Sequence, residues 1–531
     1  MESISISVID AIIIVVYLVF IIWWGLRHGK SSDAGSYFLA GRTMPWWVVG
    51  LSLFAASISS TTLIGQSGDS YSTGIAVFNY NLTGVVVMVF FATFLLPLYI
   101  KSKIFTIPEF LEKRFDKRSR YYFSAICIIG NIFLDAAGAL YAAALIIKLM
   151  FPSASLGLII VIFAILAASY TIPGGLSSAI NAELIQAVIL IAGSVILTCA
   201  CFANGGGEYL AGLLAADDTS VKLIRPLNDP STPWLGLIIG MPVSGIYFWA
   251  NNQTLVQRVL SAKSVDEGRK GVMFNGFLTL ATLFIIIIPG LVARHHFPVS
   301  EYPAMSTPDN VYPMMVLKLL PTGIIGVMLS ALLAALTSTL SAILNSTSTL
   351  FTMDFYAKAH PEADSKHLVK VGKIAALAII VIAAVWAPNI GRFGSLLKYY
   401  QEMLSYIAPP IVAAFLLGMF SKRVNADGAF TGLLTGLAMA VVMLFFRHRI
   451  FGDLHFLLII PILLAFSMMA IYIASLFKPA PSAEKLADTT FRRADFRAET
   501  LALKSVPFYK NYRVWGAALL AACALILILF A

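Results

Sequence analysis

The chain has 531 residues, of which 59% are hydrophobic and 12% charged, with a mean hydropathy of +0.86 and a formal net charge of +10. Soluble domains carry about 45–50% apolar and about 25% charged residues. The composition therefore excludes a soluble enzyme and a disordered or fibrous chain, and it predicts an all-α polytopic membrane protein. The four cysteines, Cys127, Cys199, Cys201 and Cys523, lie in apolar runs and form neither a metal-site nor a disulfide spacing.

In chain order, the apolar runs predict fourteen spans: 8–26, 46–72, 77–100, 121–150, 155–172, 178–203, 232–257, 271–297, 322–356, 367–387, 392–420, 427–446, 454–477 and 513–530. The first run lacks a preceding basic region and a cleavage motif, so it is expected to remain as a transmembrane helix. The run 322–356 is too long for a straight crossing and is expected to tilt or to extend past the lipid. Two polar stretches interrupt the pattern, 204–231 and 478–512, and neither is long enough for a separate domain.

Lys and Arg give an orientation. With the N-terminus outside, cytoplasmic loops hold 25 of the 37 basic residues, and external loops hold only Lys222, Arg225, Lys318, Arg447 and Arg449. This asymmetry predicts N-out and C-out. The basic segments read as topology signals facing the membrane surface, so nucleic acid is not an expected partner.

Polar groups inside spans are costly and point to use. Five hydroxyl residues fall between Ser57 and Thr62, followed by Gly65 and Gly68. Hydroxyls compete for backbone hydrogen bonds and glycine weakens a helix, so a broken helix with freed carbonyls is expected here. A second such run, Ala334–Thr349, offers Thr337, Ser338, Thr339, Ser341, Asn345 and Ser346. Hydroxyls and freed carbonyls together make an oxygen set suited to a small hard cation. Packing between helices is the competing reading of both runs.

Four charged residues stand out. Asp135 lies mid-span and reads as functional. Glu183 lies near the start of its span, as a site residue or an interfacial one. Lys398 and Glu402 are spaced as a plain i,i+4 pair. No histidine is mid-span, which argues against haem or zinc, and there is no phosphate-binding Gly-x-x-x-x-Gly-Lys-Ser/Thr loop. No nucleophile–base set appears, so an enzyme is not expected.

Several motifs resemble those of the sodium/solute symporters. They are Tyr37-Phe-Leu-Ala-Gly-Arg42 with Pro45-Trp-Trp47, Thr106-Ile-Pro-Glu109, Tyr170-Thr-Ile-Pro-Gly-Gly175 through Glu183 and Gln186, Val256-Gln-Arg-Val-Leu-Ser-Ala-Lys263, and Leu344-Asn-Ser-Thr-Ser-Thr349 through Asp354. They run in family order along nearly the whole chain, with the nearest likeness to the sodium/glucose and sodium/galactose cotransporters. The resemblance implies a leucine-transporter fold of two inverted five-helix repeats. It divides the chain into 1–45 (a leading helix and loop), 46–203 (first repeat), 204–231 (external loop), 232–420 (second repeat) and 421–531 (three further helices).

The same resemblance implies a sodium site at the carbonyls of Ala55, Ile58 and Ala335 and the hydroxyls of Ser338 and Thr339. A second sodium site would fall on Glu183 and Ser341, although Ala342 replaces one of its hydroxyls. Substrate positions fall on Ser57, Thr62, Tyr80, Asn81, Asp135, Phe248, Trp249 and Gln401. Here the sugar carriers' glutamate has become Asn81, their asparagine Asp135 and their lysine Thr279, while their sugar-contacting glutamine is kept as Gln401. The sialic-acid branch carries an arginine where this chain has Asp135, which disfavours a carboxylate ligand.

The expectation is sodium-coupled import of a sugar or similar polyol, with Na+ as coupling ion, no organic cofactor and no obligate protein partner. The alternatives are the same fold carrying another solute (an organic cation, vitamin, or sialic or other organic acid) and a membrane sensor that does not transport. Short loops suggest a bacterial inner membrane.

Overall fold

The structure is a computed structural model, and it describes residues 7–28, 40–58, 61–150, 153–393 and 396–531. Part of the Tyr37–Arg42 motif, Tyr37 to Leu39, lies outside the described residues. Among the described residues there is no strand, only isolated bridges between Met44 and Ala262 and between Arg225 and Pro233.

The principal helices are α1 (Val8–His28), α2 (Trp46–Ser57), α3 (Ser67–Thr73), α4 (Asn79–Phe90), α5 (Lys117–Gly130), α6 (Ala137–Met150), α7 (Leu156–Phe202) and α8 (Met241–Ile246). They continue as α9 (Gln253–Leu260), α10 (Val265–Thr282), α11 (Ile324–Thr349), α12 (Ser365–Trp386), α13 (Leu396–Phe420), α14 (Ala426–Phe451), α15 (Phe456–Leu476) and α16 (Tyr512–Leu529). Among the described residues, ten helical stretches are long and apolar enough to cross a bilayer, and an eleventh arises if the bent pair Trp46–Ser57 and Thr62–Thr73 counts as one span. The remaining predicted spans also fall on helices: 8–26 on α1, 155–172 on the first part of α7, and 322–356 on α11 with the wider π turns of Leu350–Tyr356.

The spans predicted at 155–172 and 178–203 both fall on α7, which is helical from Leu156 to Phe202 and carries the apolar stretches Leu156–Ser169 and Glu183–Phe202. It packs against α11, α1 and α2.

Membrane helices gain no hydrophobic drive from each other, so close approach matters. Gly50 on α2 and Gly271 on α10 provide it. A Cβ on Gly50 would fall 2.6 Å from a Phe274 ring carbon and 2.9 Å from the Gly271 carbonyl. The outer face is apolar, with Val385 and Phe445 more than 70% exposed, as expected of surface in contact with lipid.

Four of the basic residues counted as topology signals are not solvated. Arg114 and Arg258 are fully buried, and Arg120 and Arg269 nearly so. Arg114 donates to the carbonyls of Gly418 in the last turn of α13 and of Ser421 and Val424 just past it. Arg120 pairs with Asp354 at 2.5 Å and also with Glu112. Arg269 pairs with Glu499 on the helix Arg493–Ala502. A count of charges along a chain cannot see the acids that fold onto them.

α1 is fastened to α11 by one buried carboxylate. Asp10 Oδ1 accepts from the backbone N–H groups of Gly323 and Gly326, each at 2.7 Å, where α11 begins. Unpaired N–H groups at a helix start favour an anion.

Candidate functional site

The site begins with two interrupted helices. α2 ends at Ser57, and Ile58 leaves the helix at φ −81°, ψ 77°. The chain then bends by 65° before continuing through Thr62–Thr73. A helix that stops leaves its last carbonyls without intrahelical donors, and Ala55 lies in that last turn. The second break is at Asn252, which is extended (φ −71°, ψ 117°) between the π turn Tyr247–Asn251 and α9. Asn252 caps α9 by accepting from the Thr254 N–H at 2.8 Å. The ends of α2 and α9 away from the breaks are tied together: Met44 N–H donates to the Ser261 carbonyl at 3.0 Å and Lys263 N–H to the Met44 carbonyl at 3.1 Å.

Both breaks face one cavity, which with its open mouth encloses about 1200 Å³ of empty space. All eight predicted substrate positions line it: Ser57, Thr62, Tyr80, Asn81, Asp135, Phe248, Trp249 and Gln401. Ile58 and Thr339, two of the predicted sodium positions, line the same cavity. Residues more than 340 positions apart in the chain are thus brought to one place.

The polar side chains are held in a defined network. Asn81 Nδ2 donates to Thr282 Oγ1 at 2.8 Å and to Gln66 Oε1 at 3.1 Å, and Gln66 Nε2 returns a bond to Asn81 Oδ1 at 3.0 Å. Thr62 donates to the Ser57 carbonyl at 2.9 Å, bridging the break itself. The Tyr400 hydroxyl donates to the Asp135 carboxylate. Asn131, with its amide turned to satisfy both neighbours, donates to Asp135 Oδ2 at 3.3 Å and accepts from Thr347 at 2.9 Å. Phe248 and Trp249 meet edge to face, with ring centroids 5.0 Å apart.

For the cation positions, the informative atom is Thr339 Oγ1. It is buried and has no hydrogen-bond partner among the described residues, which is costly for a hydroxyl unless a ligand supplies one. A hard cation coordinated by hydroxyl and carbonyl oxygens fits that atom beside Ile58. Ala335 and Ser338 lie on α11 with Thr339, but their side chains are outside the described residues.

Glu183 and Ser341 are arranged differently. Glu183 is fully buried rather than interfacial, and both its oxygens are taken by Arg258, at 2.5 Å from Nη2 and 3.2 Å from Nε, with Ser52 donating as well. Ser341 shares a 2.5 Å hydrogen bond with Thr171. Neither lines the cavity. In this geometry the charge of the Glu183 carboxylate is balanced by Arg258. The predicted Lys398–Glu402 pair is also corrected: Glu402 bonds to Arg447 on α14 at 2.9 Å, and Lys398 is exposed.

Sequence reasoning missed Gln66, Thr282 and Tyr400. Gln66 lies four residues after Thr62 and Thr282 three after Thr279, so helical spacing could have found both. Tyr400 carried no signal beyond standing next to Gln401.

Comparison with known proteins bears on the same residues. The model of the "Sodium:solute symporter family" matches residues 37–436. The sodium/glucose cotransporter of Vibrio parahaemolyticus is 34% identical over 472 residues, covering 83% of this chain and 86% of that protein. Sodium/myo-inositol cotransporter 2 of Bos taurus is 33% identical over 538 residues, covering 92% of this chain and 79% of that one. Among solved structures, a Na+-coupled sialic acid symporter in a substrate-bound outward-open state superposes with a TM-score of 0.79. It is 24% identical, with 90% of this chain and 99% of that chain covered, and it shows a shared fold. The match spans the cavity and both helix breaks, and the chain belongs to the sodium:solute symporter family of sodium-coupled membrane transporters, not to an enzyme class.

Proposed function

We propose that the protein is a sodium-coupled secondary active symporter that imports a sugar or sugar-like polyol by alternating access. The observation that carries this is the single cavity in which the hydrogen-bonding side chains Asn81, Gln66, Gln401 and Asp135 meet the aromatic faces of Tyr80, Phe248 and Trp249, beside the unpartnered Thr339 hydroxyl. Neutral amides and hydroxyls both donate and accept, as a polyol's hydroxyls require. The sugar and myo-inositol substrates named for the relatives agree with that chemistry.

In this reading sodium binds first, at the carbonyls of Ala55, Ile58 and Ala335 and the hydroxyls of Ser338 and Thr339. It bridges the end of α2 to α11 and so orders the break whose far side carries Thr62 and Gln66. The ordered break raises substrate affinity, and substrate must raise sodium affinity by the same factor. One bundle then rocks against the other and both ligands leave inward. The membrane potential contributes about 2.3 kcal/mol per charge per 100 mV. The architecture proposed with it has fourteen spans, N-out and C-out, with inverted repeats 46–203 and 232–420, in a bacterial inner membrane.

The test is electrical. Purified protein in proteoliposomes is given neutral sugars and cyclitols in sodium or in potassium. A solute-dependent inward current in sodium and none in potassium is expected. Equal currents in both, or solute uptake without current, would refute the reading.

A further inference from the structure

Asp135 is the one acidic side chain lining the cavity, and among the described lining residues there is no Lys, Arg or His. Its carboxylate has about four acceptor sites, and the two neighbours identified for it, the Tyr400 hydroxyl and the Asn131 amide, are neutral donors. The nearby basic side chains are committed elsewhere or face away: Arg258 pairs with Glu183, Arg120 with Asp354 and Arg447 with Glu402, and Lys398 on α13 is exposed and does not line the cavity. A carboxylate away from bulk water without a positive partner is costly. The rest of the cavity wall is built for hydroxyls, through Asn81, Gln66 and Gln401, and for a ring face, through the Phe248–Trp249 pair.

We infer that the preferred solute is polyhydroxylated and carries a protonated amine, an amino sugar or aminocyclitol, with Asp135 as its counter-ion. The inference rests on the symport reading above and narrows it. A neutral polyol offers Asp135 only another neutral donor, whereas an ammonium offers charge and up to three N–H donors. The aromatic faces also attract a cation. A uronate or other acid sugar brings a like charge to Asp135 and is rejected. The specificity follows from charge placement alone, since the hydroxyl-binding residues serve all three classes.

The experiment compares matched solutes in proteoliposomes of the full chain with sodium supplied outside: D-glucose, D-glucosamine and D-glucuronate, and myo-inositol with its amino-deoxy form, at a pH where the amines are protonated. The amino solute of a pair is expected to half-saturate uptake at a concentration about tenfold or more below its neutral counterpart, the gain of one charge-assisted hydrogen bond. Asp135→Asn should remove that preference, so that an amine and its neutral counterpart half-saturate at similar concentrations. Because that variant could fail to fold, the wild-type ranking decides on its own. A neutral or acidic solute that binds as tightly as the amine overturns the inference and leaves symport intact. Loss of sodium dependence in Asp135→Asn, with solute ranking unchanged, reassigns the carboxylate to the cation and also overturns it. No sodium-dependent uptake of any solute overturns the symport reading and the inference with it.

Discussion

Removing one partner of the Glu183–Arg258 pair should damage the protein more than removing both. The two side chains are fully buried and joined by contacts of 2.5 and 3.2 Å, and Arg258 also donates to the Thr254 carbonyl at 2.5 Å. Glu183→Leu strands a guanidinium away from water, and Arg258→Met strands a carboxylate. Each should cost about 3–5 kcal/mol, because breaking a buried pair leaves an uncompensated charge. Glu183→Leu with Arg258→Met together replaces the pair with apolar groups, which is often near neutral. The double-mutant cycle should therefore show a coupling of about 3 kcal/mol or more. The assay is thermal unfolding of the purified protein in detergent, with the double variant melting above both single ones. Glu183→Gln should leave the sodium concentration for half-maximal uptake unchanged in whatever fraction folds. Additive losses would refute the pairing. A Glu183→Gln protein of normal stability with a greatly weakened sodium response would show that this carboxylate faces a cation after all.

Three further outcomes are expected. Asp10→Ala, which leaves the Gly323 and Gly326 N–H groups without their acceptor, should destabilise the protein by about 1–3 kcal/mol; an unchanged melting curve would contradict this. Asn81→Leu strands Gln66 and Thr282, and it should raise the half-saturating solute concentration about tenfold or more with little change for sodium, read by counterflow. Glu499 is half-buried, which alone would raise its carboxyl, but hydrogen bonds and charge from Arg269 and Arg513 outweigh this and hold it below the ordinary range. A lowered folded-state pKa contributes stability above the unfolded value and loses it as pH falls through the folded value. The melting advantage of wild type over Glu499→Gln should thus be full near neutral pH and shrink below about pH 4; an advantage that grows on acidification would reverse the sign.

Much of this was legible in the sequence, for identifiable reasons. Composition and apolar runs report the lipid solvent directly, so the helical, membrane-crossing character of the chain was readable from the sequence. The break after Ser57 was readable because hydroxyls and glycines disfavour helix locally. Asp135 was readable because a lone acid mid-span is expensive. The partner of Glu183 was not, because Arg258 lies 75 residues away in a stretch that looks like an ordinary basic loop. Glu402 illustrates the same limit: the nearest opposite charge in sequence is Lys398, but the fold presents Arg447. Gln66 falls between these cases, since its spacing from Thr62 was visible but its partner Asn81 was required to give it meaning.

The central claim is that the break in α2 and the hydroxyls of α11 hold the coupling ion. The most direct measurement is the sodium dependence of solute uptake in proteoliposomes for wild type, Thr339→Ala, and Ser338→Ala with Thr339→Ala. The account predicts that Thr339→Ala raises the half-saturating sodium concentration by about tenfold, as loss of one ligand to a charged group implies, and that the double variant loses sodium dependence while still binding solute. An unchanged sodium response in the double variant, with normal folding and uptake, would contradict it.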